Sequence, residues 1–282
     1  MKASKLPRPF LKWAGGKTSS VPLILSRMPK RIDTYYEPFF GGGAVFFALV
    51  RAGRIKKAVI SDTNRELIET LWAIRERVEI VIGELRKFER SVTAETYKAV
   101  RVSKPGGIYG VAARMIFLNR TCYNGLYRVN KEGKFNAPWG KIDRFSIDVE
   151  NLEAVSKALQ GVQILCQPYQ SVVDDAAKGD VVYFDPPYFQ TSSTSNFTTY
   201  TKLGFALADQ MRLAATFSEL TAQRVTVLAS NADVSAARAL YGTIPGVETI
   251  ETKNRRSINC KGEKRGRVGE LLFVANGVKG VR

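Results

Sequence analysis

Val181 to Phe184 (VVYF) reads as a buried strand, and it stops at once in Asp185-Pro186-Pro187-Tyr188. Each proline lacks an amide donor and fixes φ, so no ladder continues past Asp185. An ordinary loop would make that stop with Gly, Ser or Asn. Here a carboxylate, two rigid carbonyls and an aromatic ring gather at one strand end, which points to chemistry at the edge of a sheet.

The flanking pattern says what kind of sheet. Thr34 to Phe39 predicts a strand, Phe39-Phe40-Gly41-Gly42-Gly43 a tight turn, and Ala44 to Ala52 a helix. Lys57 to Ser61 predicts a second strand, closed by Asp62, and Asn64 to Arg77 an amphipathic helix. This βαβα opening argues for a parallel α/β sheet. Further strands are expected at Val162 to Cys166, Val225 to Ser230, Glu248 to Thr252 and Leu271 to Ala275, with a helix over Leu207 to Gln223. The last two strands flank a basic segment as in a hairpin, so the final one is expected to be antiparallel. From Val78 to Leu159 the buried-strand signals fade and helical stretches surround a loop-rich centre, Asn119 to Gly140. The expected division is a sheet domain over 1–77 and 160–282, with an inserted, mostly helical domain over 78–159.

An apolar fraction of 45% in 282 residues supports a globular core. No apolar run is long enough to cross a bilayer, and the basic N-terminus lacks a signal-peptide core, so a cytoplasmic setting is expected. The three cysteines, Cys122, Cys166 and Cys260, form no CxxC pair, and the chain has no histidine. That excludes His-based general-base chemistry, and no metal site is expected.

Charge narrows the partners. Forty-three Lys and Arg against 26 Asp and Glu give a formal net charge of +17. The excess is clustered: Lys253 to Arg267 holds seven cations and one acid, and a second basic, aromatic stretch runs from Arg114 to Arg144. Such clusters neutralise a polyanion, and nucleic acid is the obvious one.

In doubly wound sheets ligands sit at the carboxyl ends of the strands. Phe39-x-Gly41-x-Gly43 ends the first strand, where glycine lets the backbone approach a ligand, and Asp62 stands 21 residues after Gly41, suited to ribose hydroxyls. The third glycine of a dinucleotide fingerprint would fall on Phe46, which weighs against a nicotinamide oxidoreductase. Gly16-Lys17-Thr18 is no P-loop, because Leu11 occupies the position of its first glycine.

Six segments occur in order: FLKWAGGK, YYEPFFGGGAVFF, ISDTN, FLNRTCYNGLYRVNKEGKFNAPWG, YFDPPY and NFTTY. Together they resemble the Dam family of DNA adenine-N6 methyltransferases, from about Phe10 to Val274. DPPY alone also occurs in other amino-methyltransferases; the ordered set is far more specific.

The resemblance implies a Rossmann-like methyltransferase sheet of seven strands, the last antiparallel, with an inserted target-recognition domain containing a β-hairpin. It implies S-adenosylmethionine as donor, held by Trp13, Lys17, Phe39, Gly41, Asp62 and Asp185, and double-stranded DNA as partner to a monomer. Asp185, Pro186 and Tyr188 would be catalytic. The adenine amino group is a poor nucleophile because its lone pair is conjugated into the ring. An Asp185 carboxylate and a Pro186 carbonyl that each accept one N–H would let the nitrogen pyramidalise, with Tyr188 stacked on a flipped base. Lys12, Asn124, Leu126, Arg128 and Pro138 would meet DNA, with Arg128 and Lys12 on guanines of a GATC site. The chain departs from the family pattern at Gly140-Lys141-Ile142, where Arg-Tyr commonly follows the glycine, so one plausible aromatic contact is missing. The competing readings are an N4-cytosine or RNA adenine methyltransferase and a DNA-binding protein without catalysis. The recognition segment argues against the first, and the intact Asp185 motif and glycine turn against the second.

Overall fold

The computed structural model describes residues 6–89, 92–130, 132–189, 205–255 and 267–279. NFTTY (196–200) and most of the basic cluster (256–266) lie outside the described residues. In chain order the first half holds α1 (Val21–Ser26), β1 (Ile32–Glu37), α2 (Ala44–Arg51), β2 (Ile55–Ser61), α3 (Arg65–Arg86), α4 (Ala94–Val102) and α5 (Gly107–Thr121). The second half holds α6 (Val149–Ala158), β3 (Gln163–Leu165), α7 (Gln170–Val173), β4 (Val181–Phe184), α8 (Leu207–Ala222), β5 (Thr226–Ala232), α9 (Ser235–Tyr241), β6 (Glu248–Arg255) and β7 (Arg267–Ala275).

The seven strands form one sheet in the order β3-β2-β1-β4-β5-β7-β6. β1 through β5 pair in parallel, and β7 runs antiparallel to both β5 and β6. This is the Rossmann-like methyltransferase sheet expected, with its last strand reversed. β4 and β5 are buried at every position, as strands covered on both faces must be, which is why VVYF shows no alternation. The chain leaves β1 outward to β2 and β3, then crosses back to β4 on the other side of β1. Such a reversal leaves a crevice outside the carboxyl ends of β1 and β4.

α3 opens on an Asn64 cap whose side chain accepts from the Leu67 amide. It breaks at Arg77 (φ −147°, ψ 67°) and then continues to Arg86. One apolar core takes in Tyr35 and Ile60 of the sheet together with Leu85, Tyr97 and Phe117 from the stretch 78–159. Within 119–140 the chain forms a narrow antiparallel ribbon. Cys122 bridges Trp139 and Val129 bridges Phe135, and the Asn136 amide donates to the Arg128 carbonyl at 2.9 Å.

Candidate active site

The two central strand ends build the site. After β1 the chain turns through Gly41 and Gly43, both left-handed (φ 50° and 66°), into α2. A Cβ on Gly41 would stand 2.8 Å from Cδ1 of Trp13, so the indole can lie on this turn only because Gly41 has no side chain. Asp62, at the end of β2, accepts the Gly41 amide on Oδ2 (3.0 Å) and the Asn64 amide on Oδ1 (2.9 Å). It thereby ties β2 to the glycine turn, and each oxygen keeps a second lone pair for a ligand hydroxyl. Burial pushes its carboxyl up, and these two amides oppose that. Phe39 stacks on Tyr169 (centroids 5.4 Å apart) and meets Phe184 and Phe205 edge-on.

Asp185 follows β4 directly. Lys17, only 5% exposed, sets Nζ 2.8 Å from Asp185 Oδ1 and 4.8 Å from the centre of the Tyr188 ring. Nζ also donates to the Gly15 carbonyl at 2.5 Å. Burial raises the Asp185 carboxyl and the Lys17 cation pulls it back. Burial, with Asp185 next in weight, raises the phenols of Tyr183 and Tyr188. Tyr183 and Ser230 share a hydrogen bond of 2.8 Å behind them.

A second carboxyl lies below. Glu37, the last residue of β1, is 3% exposed and takes both the Tyr35 hydroxyl (2.9 Å) and the Phe46 amide (3.1 Å) on Oε2. Burial lifts its pKa from an ordinary 4.5 to about 8, Asp185 adds to the rise, and Tyr35 and Lys17 oppose it. The site therefore sets a buried acid, Glu37, and a half-buried one, Asp185, around one buried ammonium.

Two amides grip the backbone around Tyr188. Gln210 of α8 donates Nε2 to the Pro187 carbonyl at 2.8 Å, and Asn231 of β5 accepts the Phe189 amide at 3.2 Å. Sequence reasoning missed Glu37, Gln210 and Asn231. Glu37 and Asn231 carried a signal, each a polar residue at the carboxyl end of an apolar strand. Gln210 carried none, since a buried and an exposed glutamine look alike in a helix.

The expected DNA contacts gather on a different surface. Lys12, Asn124, Arg128 and Pro138 are exposed and Leu126 is half-buried. Asn119, fully buried, accepts the Lys12 amide at 2.8 Å and donates to the Lys12 carbonyl at 2.7 Å. Trp13 stacks on Tyr127, whose hydroxyl donates to Glu66 of α3 at 2.9 Å. Arg128 donates Nε to Asn136 Oδ1 (2.7 Å) and Nη2 to the Asn136 carbonyl (3.0 Å), so its guanidinium is held across the ribbon.

Residues 13–258 match the model of the family described as D12 class N6 adenine-specific DNA methyltransferase. The chain belongs to that family. Among its relatives, the type II methyltransferase M.MjaIII of Methanocaldococcus jannaschii is 39% identical over 287 residues, 95% of this chain and 98% of the relative. The type II methyltransferase M1.LlaDCHI of Lactococcus lactis subsp. cremoris is 37% identical, with 96% of each chain covered. A DNA adenine methylase of Salmonella typhi is 34% identical, again over 96% of each. This D12-class enzyme is thus an adenine-N6 DNA methyltransferase, as the Dam resemblance implied, and its family and fold imply S-adenosylmethionine as donor. Among the described residues no helix is long and apolar enough to cross a membrane, and no group of His, Cys, Asp and Glu could hold a metal.

Proposed function

We propose that this enzyme methylates the adenine of GATC in duplex DNA, acting as a monomer, after turning that adenine into the crevice between the ends of β1 and β4. S-adenosylmethionine supplies the methyl group as an electrophilic sulfonium. Trp13, Lys17, Phe39, the Gly41 turn and Asp62 are the residues to hold it. The left-handed Gly41 and the spare lone pairs of Asp62 suit close backbone approach and ribose hydroxyls.

The observation that carries the reading is the Lys17–Asp185 pair. A nitrogen donor already sits 2.8 Å from the carboxylate at the end of β4, where the adenine amine would bring one. In this reading Lys17 yields Asp185 as the base enters, and the Asp185 carboxylate and Pro186 carbonyl each take one N–H. The nitrogen then pyramidalises and turns its lone pair to the methyl donor. Both acceptors are fixed in advance, one by its strand end and one by proline, so little reorganisation accompanies the step. Tyr188 stacks on the extruded base, and unstacking costs a few kcal/mol.

Residues 78–159 serve as the target-recognition part. Lys12, Asn124, Leu126, Arg128 and Pro138 are the residues to meet the bases, and the cations of 253–267 are those to neutralise phosphates. The test is transfer of labelled methyl to GATC duplexes and to duplexes with each single-base change, in the presence of EDTA. Label in N6-methyladenine at GATC, undiminished by chelation, is expected. Label in cytosine, or equal rates on altered sites, would refute the base or the site.

A further inference from the structure

We propose that Gln210 and Asn231 form a buried amide clamp that aims Tyr188 and the Pro186 carbonyl at the target base. This rests on the roles given above to Asp185, Pro186 and Tyr188. Both are positioning residues, because neither is expected to touch the base.

The two side chains come from different elements, α8 and β5, and are 2% and 1% exposed. Gln210 Nε2 donates to the Pro187 carbonyl (2.8 Å), Asn231 Nδ2 donates to Gln210 Oε1 (3.1 Å), and Asn231 Oδ1 accepts from the amides of Phe189 (3.2 Å) and Ala232 (2.8 Å). The orientation of this chain of bonds is forced from both ends. A carbonyl can only accept and an amide N–H can only donate, so neither side chain can be flipped without pairing like with like.

What the clamp holds is specific. The Pro187 carbonyl belongs to the peptide plane before Tyr188 and the Phe189 amide to the plane after it. Fixing both planes fixes the direction in which the Tyr188 side chain leaves the backbone. Pro186 and Pro187 already have fixed φ, so the clamp removes much of the freedom left between Asp185 and Phe189. Apolar side chains of the same shape could fill this space, but they would strip the Pro187 carbonyl and the Phe189 and Ala232 amides of these partners. Amides add direction, and being neutral they add no charge beside Asp185, Lys17 and Glu37.

The experiment compares single-turnover methyl transfer by Gln210→Glu, Gln210→Met and Asn231→Asp with wild type. Cofactor affinity, DNA affinity and Tm are measured on the same proteins. A displacement of about 1 Å at a reacting centre costs on the order of 100-fold, so a fall of about 10- to 100-fold in rate is expected near neutral pH, with both affinities within about twofold. In Gln210→Glu, the new carboxyl once protonated would again donate to the Pro187 carbonyl and accept from Asn231. The rate of Gln210→Glu relative to wild type should therefore rise toward acid pH, while that of Gln210→Met stays flat.

Wild-type rates in folded Gln210→Met and Asn231→Asp would overturn the clamp. So would losses in both isosteric variants that track a fall in Tm or in cofactor affinity, since those would assign the pair to the fold. Asp185→Asn and Tyr188→Ala run alongside. If these remain active, the reading of the site itself fails; if they are inactive while the clamp variants are normal, only the clamp fails.

Discussion

Trp13 and Tyr127 lie stacked, ring centroids 5.3 Å apart and planes 21° from parallel. One face of the indole thus meets the ribbon that carries the expected DNA contacts, and the pyrrole edge meets the Gly41 turn. On the proposed reading, the cofactor and the DNA share this wall.

That wall gives the first prediction. Tyr127→Ala should weaken binding of S-adenosylmethionine in the absence of DNA, although Tyr127 lies in the segment proposed to read DNA. An aromatic pair is worth about 0.5–1.5 kcal/mol beyond its area, so the loss should be roughly 2- to 13-fold. Calorimetric titration of variant and wild type checks it; equal affinities would uncouple the ring from the cofactor pocket.

Asp185→Ala should remove an acceptor aimed at charge developing on the amine. By analogy with the loss of one preorganised donor, the rate should fall on the order of 10²–10³, with DNA binding largely intact. Activity within about threefold of wild type would take Asp185 out of the mechanism. Asp62→Ala should instead raise the cofactor concentration required, and it should loosen the Gly41 turn that Asp62 holds.

Glu37 predicts a pH dependence of stability. Its folded pKa is raised from 4.5 to about 8, so between those values the folded chain keeps a proton that the unfolded chain has released. Stability from this group is complete below the unfolded pKa and falls as pH rises through the folded one, by up to about 1.4 kcal/mol per unit. Glu37→Gln should abolish that slope. Thermal melts at about pH 5.5 and about pH 7.5 would show the gap between variant and wild type shifting in favour of the variant; a constant gap would mean that Glu37 stays charged.

Arg128→Ala should lose about 1–3 kcal/mol of discrimination at one guanine, or roughly 5- to 150-fold of the preference for GATC over a site changed there. Asn136→Ala, which removes the Oδ1 acceptor of Nε but keeps the backbone carbonyl that Nη2 meets, should lose less. Methylation rates on singly altered duplexes measure both. If Arg128→Ala keeps the wild-type ranking of sites, the side chain reads no base.

Neutralising Arg255 and Arg256 together should weaken binding to every sequence alike and flatten the dependence of affinity on salt. A changed site preference at unchanged salt slope would place these cations among the readers.

The strands that bear the chemistry were legible because their signals are local. VVYF against two prolines marks β4 to the residue, and FFGGG marks the turn after β1. The hairpin arms were read short. β6 runs on to Arg255 and β7 starts at Arg267, because the added pairs are joined by backbone bonds that polar residues make as well as apolar ones. The helix expected over Asn64 to Arg77 does break at Arg77, and a second helical stretch runs on to Arg86 with Val81, Ile82 and Leu85 buried. Asn119 shows the harder limit. Its letter stands inside a recognised motif, yet its work is to pair with the backbone of Lys12, 107 positions away, and no pattern within the segment records that distance.

The ribbon is closed at its base. The Tyr123 amide donates to the Pro138 carbonyl and the Gly140 amide to the Thr121 carbonyl, both at 2.9 Å, beside the Cys122–Trp139 bridge. A loop whose two ends are already joined can be exchanged without reopening the scaffold beneath it. On the proposed reading, a chimaera cut at this neck and keeping Tyr127 against Trp13 takes its dictionary from the donor and its chemistry from the recipient.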